Sequence, residues 1–374
     1  MSGWLLVAGD FAPTGGMDRA NHALARHLAD RGPVHLVTHR AAADLADHPG
    51  VTVHRVARPF GRHLFGAPLL ARAGRRWARR LAGDGFRVVV NGGNCLWPDV
   101  NWVHCVHAAY PAPVAGGRLR RLKIRLHHVH ARRGERAAIR SARVVVCNSR
   151  RTARDVTDLL GVDPDRVRVV YLAADPERFP LIDAPERAAA RAALGWDERP
   201  WVGFVGQLGN RVKNFDTLYA AWQALCKNPA WDANLAVVGA GGELAAWRDR
   251  AAADGLGDRV RFLGYRSDVP AVLAACDAVA HPARYDAYGL AVHEALCRGL
   301  PVLVSAAAGV AERYPPELAD LVLPDPEDAA ALADRLRTWR RDLESWPARV
   351  APLAADLRAY TWDDMAAAFV RAVG

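Results

Sequence analysis

Two rhythms alternate along the chain. Runs in which nearly every position is apolar, such as WLLVAG from Trp4 and RVVVCN from Arg143, are followed by stretches where apolar residues recur every third or fourth position, such as NHALARHLADRG and SRRTARDVTDLLG. A strand buried on both faces requires the first pattern and an amphipathic helix the second. The alternation therefore predicts doubly wound α/β domains, parallel sheets covered on both faces by helices. In the second half, WVGFVGQL, NLAVVGAGG, RVRFLGY, AVAHP and LPVLVS read as core strands, each followed by a turn or helix signal. Ser149, directly after VVVCN, stands where an N-cap belongs.

The rhythm fails once, in LAADPERFPLIDAPER, where Pro176, Pro180 and Pro185 interrupt it. A chain of 374 residues exceeds what one hydrophobic core usually supports. We therefore expect a boundary near residue 180, with one domain over residues 1–178 and a second over 179–355. No internal repeat of about 20 to 50 residues is visible.

Composition narrows the class. With 51% apolar and 24% charged residues, both domains can bury ordinary cores, which excludes a disordered chain. The opening MSGWLLVAGDFAP lacks a basic leader, and its apolar run stops at Asp10. No apolar stretch approaches the roughly 18 residues that span a bilayer, so a soluble cytoplasmic protein is expected. Cysteines at 95, 105, 147, 226, 276 and 297 are scattered without metal-ligand spacing and are expected to be reduced, mostly buried thiols. The net charge is +10, almost all of the basic residues being arginine. Lysine occurs only at 123, 213 and 227, so a lysine inside a motif stands out.

Several segments carry possible chemistry. Gly15 and Gly16 lead the first strand into a helix, a turn that lets backbone N–H groups approach a phosphate or acceptor oxygen. In GAGGELAAW the third glycine of a dinucleotide fingerprint would fall at Leu244, so an NAD enzyme is not supported. HHVH, His127 to His130, lies in an arginine-rich helix and reads as solvated surface rather than a metal site. HEALC at His293 lacks the second histidine of a zincin motif. In NWVHCVHAAYP, His104 and His107 follow a strand, the edge where α/β sheets bind ligands. Arg211 and Lys213 occupy the loop of FVGQLGNRVKNFDTLYAAW, where two cations can neutralise a diphosphate. In RYDAYGLAVHEALCRGLP, Asp286 sits before a glycine-started helix and Glu294 in its first turns, while Gly299 and Pro301 end it. Two carboxylates so placed can each grip hydroxyl groups, with a helix N-terminus between them for phosphate.

DAYGLAVHEALCRGLPVLVS resembles the E-x7-E segment of retaining GT-B glycosyltransferases, especially family 4. PTGG, VVVCNS, YLAADPERF, FVGQLGNRVKNFDTL, VVGAGGEL, RFLGYRSDVPAVLAACDAVAHPA and the terminal YTWDDMAAAFVRAV are similar to that family in the same order, so the likeness covers essentially the whole chain. It implies two Rossmann-like domains facing each other across a cleft. The final helix, within residues 356–374, is expected to return to the first domain.

The resemblance also implies roles. Glu294 binds the nucleotide ribose, Asp286 the hydroxyls of the transferred sugar, Lys213 the diphosphate, and backbone at Tyr288, Gly289 and Leu290 sugar or phosphate. Tyr265 and Arg266 lie where the base is held. His107, with His104 as the fallback, matches the histidine beside the transferred sugar, and Gly15 and Gly16 the first glycine loop. A hexose passes from a UDP- or GDP-sugar to a glycan or lipid-linked hydroxyl with retention. A donor phosphate oxygen takes the acceptor proton, and neither metal nor cofactor is required. Two positions depart from the pattern: Gln207 replaces an arginine, which Arg211 can offset, and Asp286 replaces a glutamate.

A sugar-nucleotide epimerase or hydrolase of the same fold is the nearest alternative. A nucleic-acid binder is suggested by RAGRRWARR and RLRRLKIRLHHVHARR, but Trp77 is the single Phe, Trp or Tyr in the two runs, short of the series of stacking aromatics that single-strand binding uses. Those runs fit a peripheral face for anionic membrane better.

Overall fold

The computed structural model describes residues 3–111, 118–209 and 211–374, with backbone only for 118–127 and 130. The chain divides into two compact units. The first comprises Met1–Pro111, Arg125–Leu172 and Thr361–Gly374, and the second Ala112–Ile124 and Ala173–Tyr360.

In the first unit the strands are β1 (Trp4–Val7), β2 (Asp10–Phe11), β3 (Val34–Thr38), β4 (Arg40–Ala41), β5 (Val51–Arg55), β6 (Arg87–Asn91), β7 (Val100–Val103), β8 (Val144–Cys147) and β9 (Val167–Val169). Seven form one parallel sheet in the order β5-β3-β1-β6-β7-β8-β9, and β2 pairs with β4 alone. The apolar runs are buried on both faces: the successive residues Leu5 and Leu6, Val88 and Val89, and Val145 and Val146 point to opposite sides and are all within the core. Ser149 caps its helix as expected, its hydroxyl accepting the Thr152 N–H at 3.0 Å. The last helix, Trp362–Val373, belongs to this unit and packs on the first, Gly16–Ala29. His27 bonds Asp363, and Phe369 lies 4.8 Å from Trp102 between ring centres.

The second unit holds β10 (Trp201–Val205), β11 (Asn234–Val238), β12 (Val260–Gly264), β13 (Ala278–His281), β14 (Val302–Ser305) and β15 (Val322–Leu323), all parallel, in the order β12-β11-β10-β13-β14-β15. The first five are the apolar runs read from the sequence; β15 is two residues long. In both sheets the order reverses beside the first strand, at β1/β6 and at β10/β13. Loops leaving the carboxyl ends of those strands diverge and open a crevice there.

One expectation is corrected. His128 of HHVH is buried, because its ring packs between those of His107 and Tyr110, at 6.0 and 5.8 Å. The side chains of His127 and His130 lie outside the described residues. The six cysteines are free, four of them buried. No helix among the described residues is long and apolar enough to cross a membrane.

Candidate active site

At the switch point of the second sheet, the loop after β10 brings Lys213 and the loop after β13 brings Asp286 into contact. Lys213 Nζ donates to Asp286 Oδ2 at 2.5 Å, and His281 Nε2, at the end of β13, lies 3.0 Å from the same oxygen. Burial alone would raise the Asp286 carboxyl, but the Lys213 charge and the His281 hydrogen bond outweigh it and hold it well below the usual carboxylate range. Asp286 is therefore an anion at any physiological pH. Burial dominates at His281 and lowers its pKa, so that ring is neutral.

Backbone holds the Asp286 loop in place. Asp286 N–H donates to Ala307 O at 3.1 Å, its own carbonyl accepts from Gly309 N–H at 3.0 Å, and Tyr288 O accepts from Val310 N–H at 2.6 Å. Gly289 then starts the helix Leu290–Cys297 with φ 100°, a conformation that disfavours any side chain. Glu294 is buried in the second turn of that helix. Tyr288 turns its ring into the core, where its hydroxyl meets His293 Nδ1 at 2.6 Å.

Arg284 ties the two loops together. Its guanidinium donates to Arg211 O at 2.7 Å and to both carboxylate oxygens of Asp216 at 2.8 and 2.7 Å, and it also pairs with Glu327. The loop after β10 rests on the loop after β11, backbone on backbone: Leu208 N–H donates to Ala240 O at 3.0 Å, and a Cβ on Gly241 would stand 1.4 Å from Leu208 O. A pocket of ≈ 470 Å³ opens beside this joint, lined by Gln207, Gly209, Arg211, Phe215, Trp247 and Arg250 among others.

In the first unit, Gly15 stands at the N-cap of the helix Gly16–Ala29 with φ 78°. Nearby, Asp10 pairs with Arg58 and, at 3.4 Å, with Arg40. Asp18 is raised to about 6, by burial first and then by Asp10. His107 follows β7, and its Nδ1 lies 2.7 Å from Glu135 Oε1 on the helix Arg118–Ser141. That hydrogen bond raises the His107 pKa against the opposing effect of burial. His104 is half-buried with both ring nitrogens shielded from solvent, and that desolvation lowers its pKa to about 3.

Comparison with known proteins decides the class. Residues 14–178 match the family described as Glycosyltransferase Family 4, and residues 186–349 match Glycosyl transferases group 1. The chain is 32% identical, over 86% of its length and 73% of the relative's, to a D-inositol 3-phosphate glycosyltransferase of Salinispora tropica. The chain belongs to the GT4-type glycosyltransferases. It is also 29% identical to a 2-deoxystreptamine N-acetyl-D-glucosaminyltransferase of Streptomyces fradiae, over 93% of this chain and 88% of that one. Among solved structures it matches Anabaena HepE, crystallised with UDP and glucose, with a TM-score of 0.71 at 21% identity, covering 99% of both chains. The fold is GT-B, and the chain is a transferase enzyme.

Within this glycosyltransferase the structure brings Lys213, Asp286, Gly289 and Leu290 together at one switch point. Gln207 and Arg211 lie on the same loop as Lys213, although Arg211 shares its charge with Asp216 at 2.8 Å. Tyr265 and Arg266 follow β12; Tyr265 is 79% exposed, and Arg266 is paired with Asp268 at 2.5 and 2.7 Å. Three residues at the two switch points escaped the sequence reading: His281, Arg284 and Glu135. His281 alone carried a signal, a histidine closing a buried strand before Pro282.

Proposed function

We propose that this glycosyltransferase moves a hexose from a UDP- or GDP-sugar to a hydroxyl of a glycan, glycolipid or polyol acceptor, with retention at the anomeric carbon. The observation that carries the reading is the Lys213–Asp286–His281 cluster at the second sheet's switch point, beside a glycine-started helix. Lys213 and the N-terminus of the helix Leu290–Cys297 take the diphosphate, so that charge developing on the leaving group meets a cation and oriented N–H donors. Asp286, an anion fixed by two partners, accepts hydrogen bonds from sugar hydroxyls, and Glu294 accepts those of the ribose. Tyr265 and Arg266 hold the base; Gln207 and Arg211 flank the phosphates.

His107 of the first unit serves the transferred sugar, and Gly15 and Gly16 offer backbone to phosphate or acceptor. The bond from the anomeric carbon to the diphosphate oxygen breaks while one to the acceptor oxygen forms on the same face. The acceptor proton passes to a phosphate oxygen. No cofactor enters the step. Two relatives take cyclitol acceptors by name, which is why a polyol joins glycans and glycolipids as an acceptor class.

Thermal unfolding with UDP, GDP, ADP and dTDP tests the reading. A nucleotide at about 100 times its Kd adds roughly 2.7 kcal/mol if it binds the native state alone. We expect one of UDP or GDP to do so, and Glu294→Ala to abolish it; no shift with any nucleotide would overturn the assignment. Product analysis with and without acceptor separates transfer from epimerisation or hydrolysis.

A membrane contact accompanies this reading. Phe60 is 86% exposed, with Leu64, Phe65 and Leu69 exposed after it, and Arg72, Arg76, Arg79 and Arg80 exposed further along the helix His63–Ala82. Apolar tips beside an arginine row suit an anionic lipid surface. Sedimentation with anionic vesicles, lost in Phe60→Ser/Phe65→Ser, is expected; equal binding by that variant would remove the contact.

A further inference from the structure

We infer that Glu135 is the residue that positions His107, gripping it at both its backbone N–H and its ring Nδ1–H so that Nε2 is the nitrogen presented to a ligand. The inference rests on the reading of His107 as the histidine serving the transferred sugar. Glu135 is 3% exposed, and each of its carboxylate oxygens is engaged by one residue: Oε2 accepts the His107 backbone N–H at 2.8 Å and Oε1 the Nδ1–H at 2.7 Å. Two bonds to one residue fix both where its backbone lies and how its ring is turned. A carboxylate behind Nδ1 also selects the tautomer, leaving the lone pair of the neutral ring on Nε2. The His107 side chain is 34% exposed, so that atom's side of the ring can be reached.

The chain takes trouble to bring the carboxylate there. Glu135 lies 28 residues from His107 on a long helix whose described neighbours at 132, 133 and 136 are all arginines. The helix reaches the sheet at Gly92 and Gly93, directly after β6. A Cβ on Gly93 would stand 3.2 Å from both N and Cα of Glu135, tighter than side chains normally tolerate. Asn101 Nδ2 donates to Gly92 O at 2.9 Å and holds that turn. Glycine at this point therefore lets the helix approach the first sheet's switch point closely enough for a glutamate to meet a residue leaving β7.

The other groups around the ring leave Glu135 as its electrostatic partner. Cys105 is pushed up to about 12 by burial, and then by Glu135, so its thiol is neutral. Tyr110, 5.7 Å from the His107 ring, is raised above its ordinary value by burial first, and His128, at 6.0 Å, is lowered by burial. Arg132 opposes the charged ring. Among the described groups the anion facing His107 is Glu135. Cys105, His107 and Glu135 also place one ligand atom each within 4.8 Å of one another, the chemistry of a Zn²⁺ site. Both Glu135 oxygens are already taken by N–H groups of His107, however, and a metal would have to displace the Nδ1 proton.

Glu135→Gln, Glu135→Asp, His107→Ala and the Glu135→Gln/His107→Ala double variant test the assignment. A glutamine offers one acceptor where two N–H groups need one each. We expect Glu135→Gln to lower kcat at least about 10-fold, as loss of a histidine's orienting carboxylate does, with UDP or GDP affinity unchanged and Glu135→Asp partly restoring kcat. The pH midpoint of kcat should move down, because burial and Arg132 then act on the ring unopposed, and the imidazole ¹⁵N shifts of His107 should pass from the Nδ1–H form to a mixture. In the double variant the glutamine should cost nothing further. Wild-type pH dependence and ¹⁵N shifts in Glu135→Gln would overturn the inference, as would equal losses in the two backgrounds. So would a wild-type enzyme that a chelator silences and Zn²⁺ restores, because the cluster would then be a metal site. Wild-type kcat in His107→Ala would instead sink the role given to His107, and the ¹⁵N shifts would still decide whether Glu135 holds the ring.

Discussion

The two sheets reverse strand order at the same place, beside their first strand, yet the groups gathered there differ in kind. In the second unit a cation and a neutral ring converge on one oxygen of an anion, with Lys213 and His281 both bonded to Asp286 Oδ2. In the first, a single carboxylate is spent holding one histidine. The shared topology supplies a crevice in each unit and nothing more. The second unit is equipped to hold charge, and the first to orient a ring whose pKa is raised.

The sharpest way to break this comparison is at Lys213. Lys213→Ala should cost about 10³-fold in kcat/KM, about 4 kcal/mol, as losses of transition-state charge partners do. It should also weaken nucleotide binding measured by calorimetry. Next is the joint beneath it: Gly241→Ala would drive a methyl group into Leu208 O and should destabilise the fold by about 3 kcal/mol, read as a lower urea midpoint. His107→Ala should lower kcat about 10²-fold while leaving nucleotide affinity intact, which separates the contributions of the two units in one experiment. Ser149→Ala, which removes the cap of a helix in the first unit, should cost about 1 kcal/mol and leave kcat alone.

The smallest expected effect is a flat line. The Asp286 pKa is depressed below its unfolded value of 3.8, so the stability it contributes is fully present above that pH. It is lost only as pH falls through the folded value. The difference in Tm between the wild type and Asp286→Asn should therefore stay constant from pH 7 down to about 4.5. A difference that shrinks within that window would mean that Lys213 and His281 do not hold the carboxylate as the geometry implies.

Most of the scaffold was legible in the sequence because doubly buried strands must be continuously apolar. β10 to β14 lie where the five runs of the second half predicted. β15 was missed because two residues cannot establish a pattern. At the sites, residues close in sequence to a motif could be read, and residues brought in by tertiary structure could not. Asp286, Gly289 and Glu294 share one segment. Glu135 hides in an arginine-rich helix that reads as solvated, and only the helix's approach to Gly93 gives it a task. His281 looks like the end of a strand until the following loop turns Asp286 back onto it. Arg284 looks like a surface arginine until Asp216 and Glu327 meet it from distant loops. His128 failed in the opposite direction, because composition marks a helix as polar without saying which face packs.

The last helix carries a consequence for the order in which the molecule can be made. Met365, Ala366, Phe369 and Val373 complete the core of the first unit, yet they leave the ribosome after the whole of the second unit. The second unit, although translated later than most of the first, has all its strands and helices once Tyr360 has emerged. During synthesis the amino-terminal unit must therefore wait, with the face of the helix Gly16–Ala29 uncovered, until the helix Trp362–Val373 has emerged. A nascent chain stalled before Thr361 would carry a finished carboxyl-terminal unit behind an unfinished amino-terminal one.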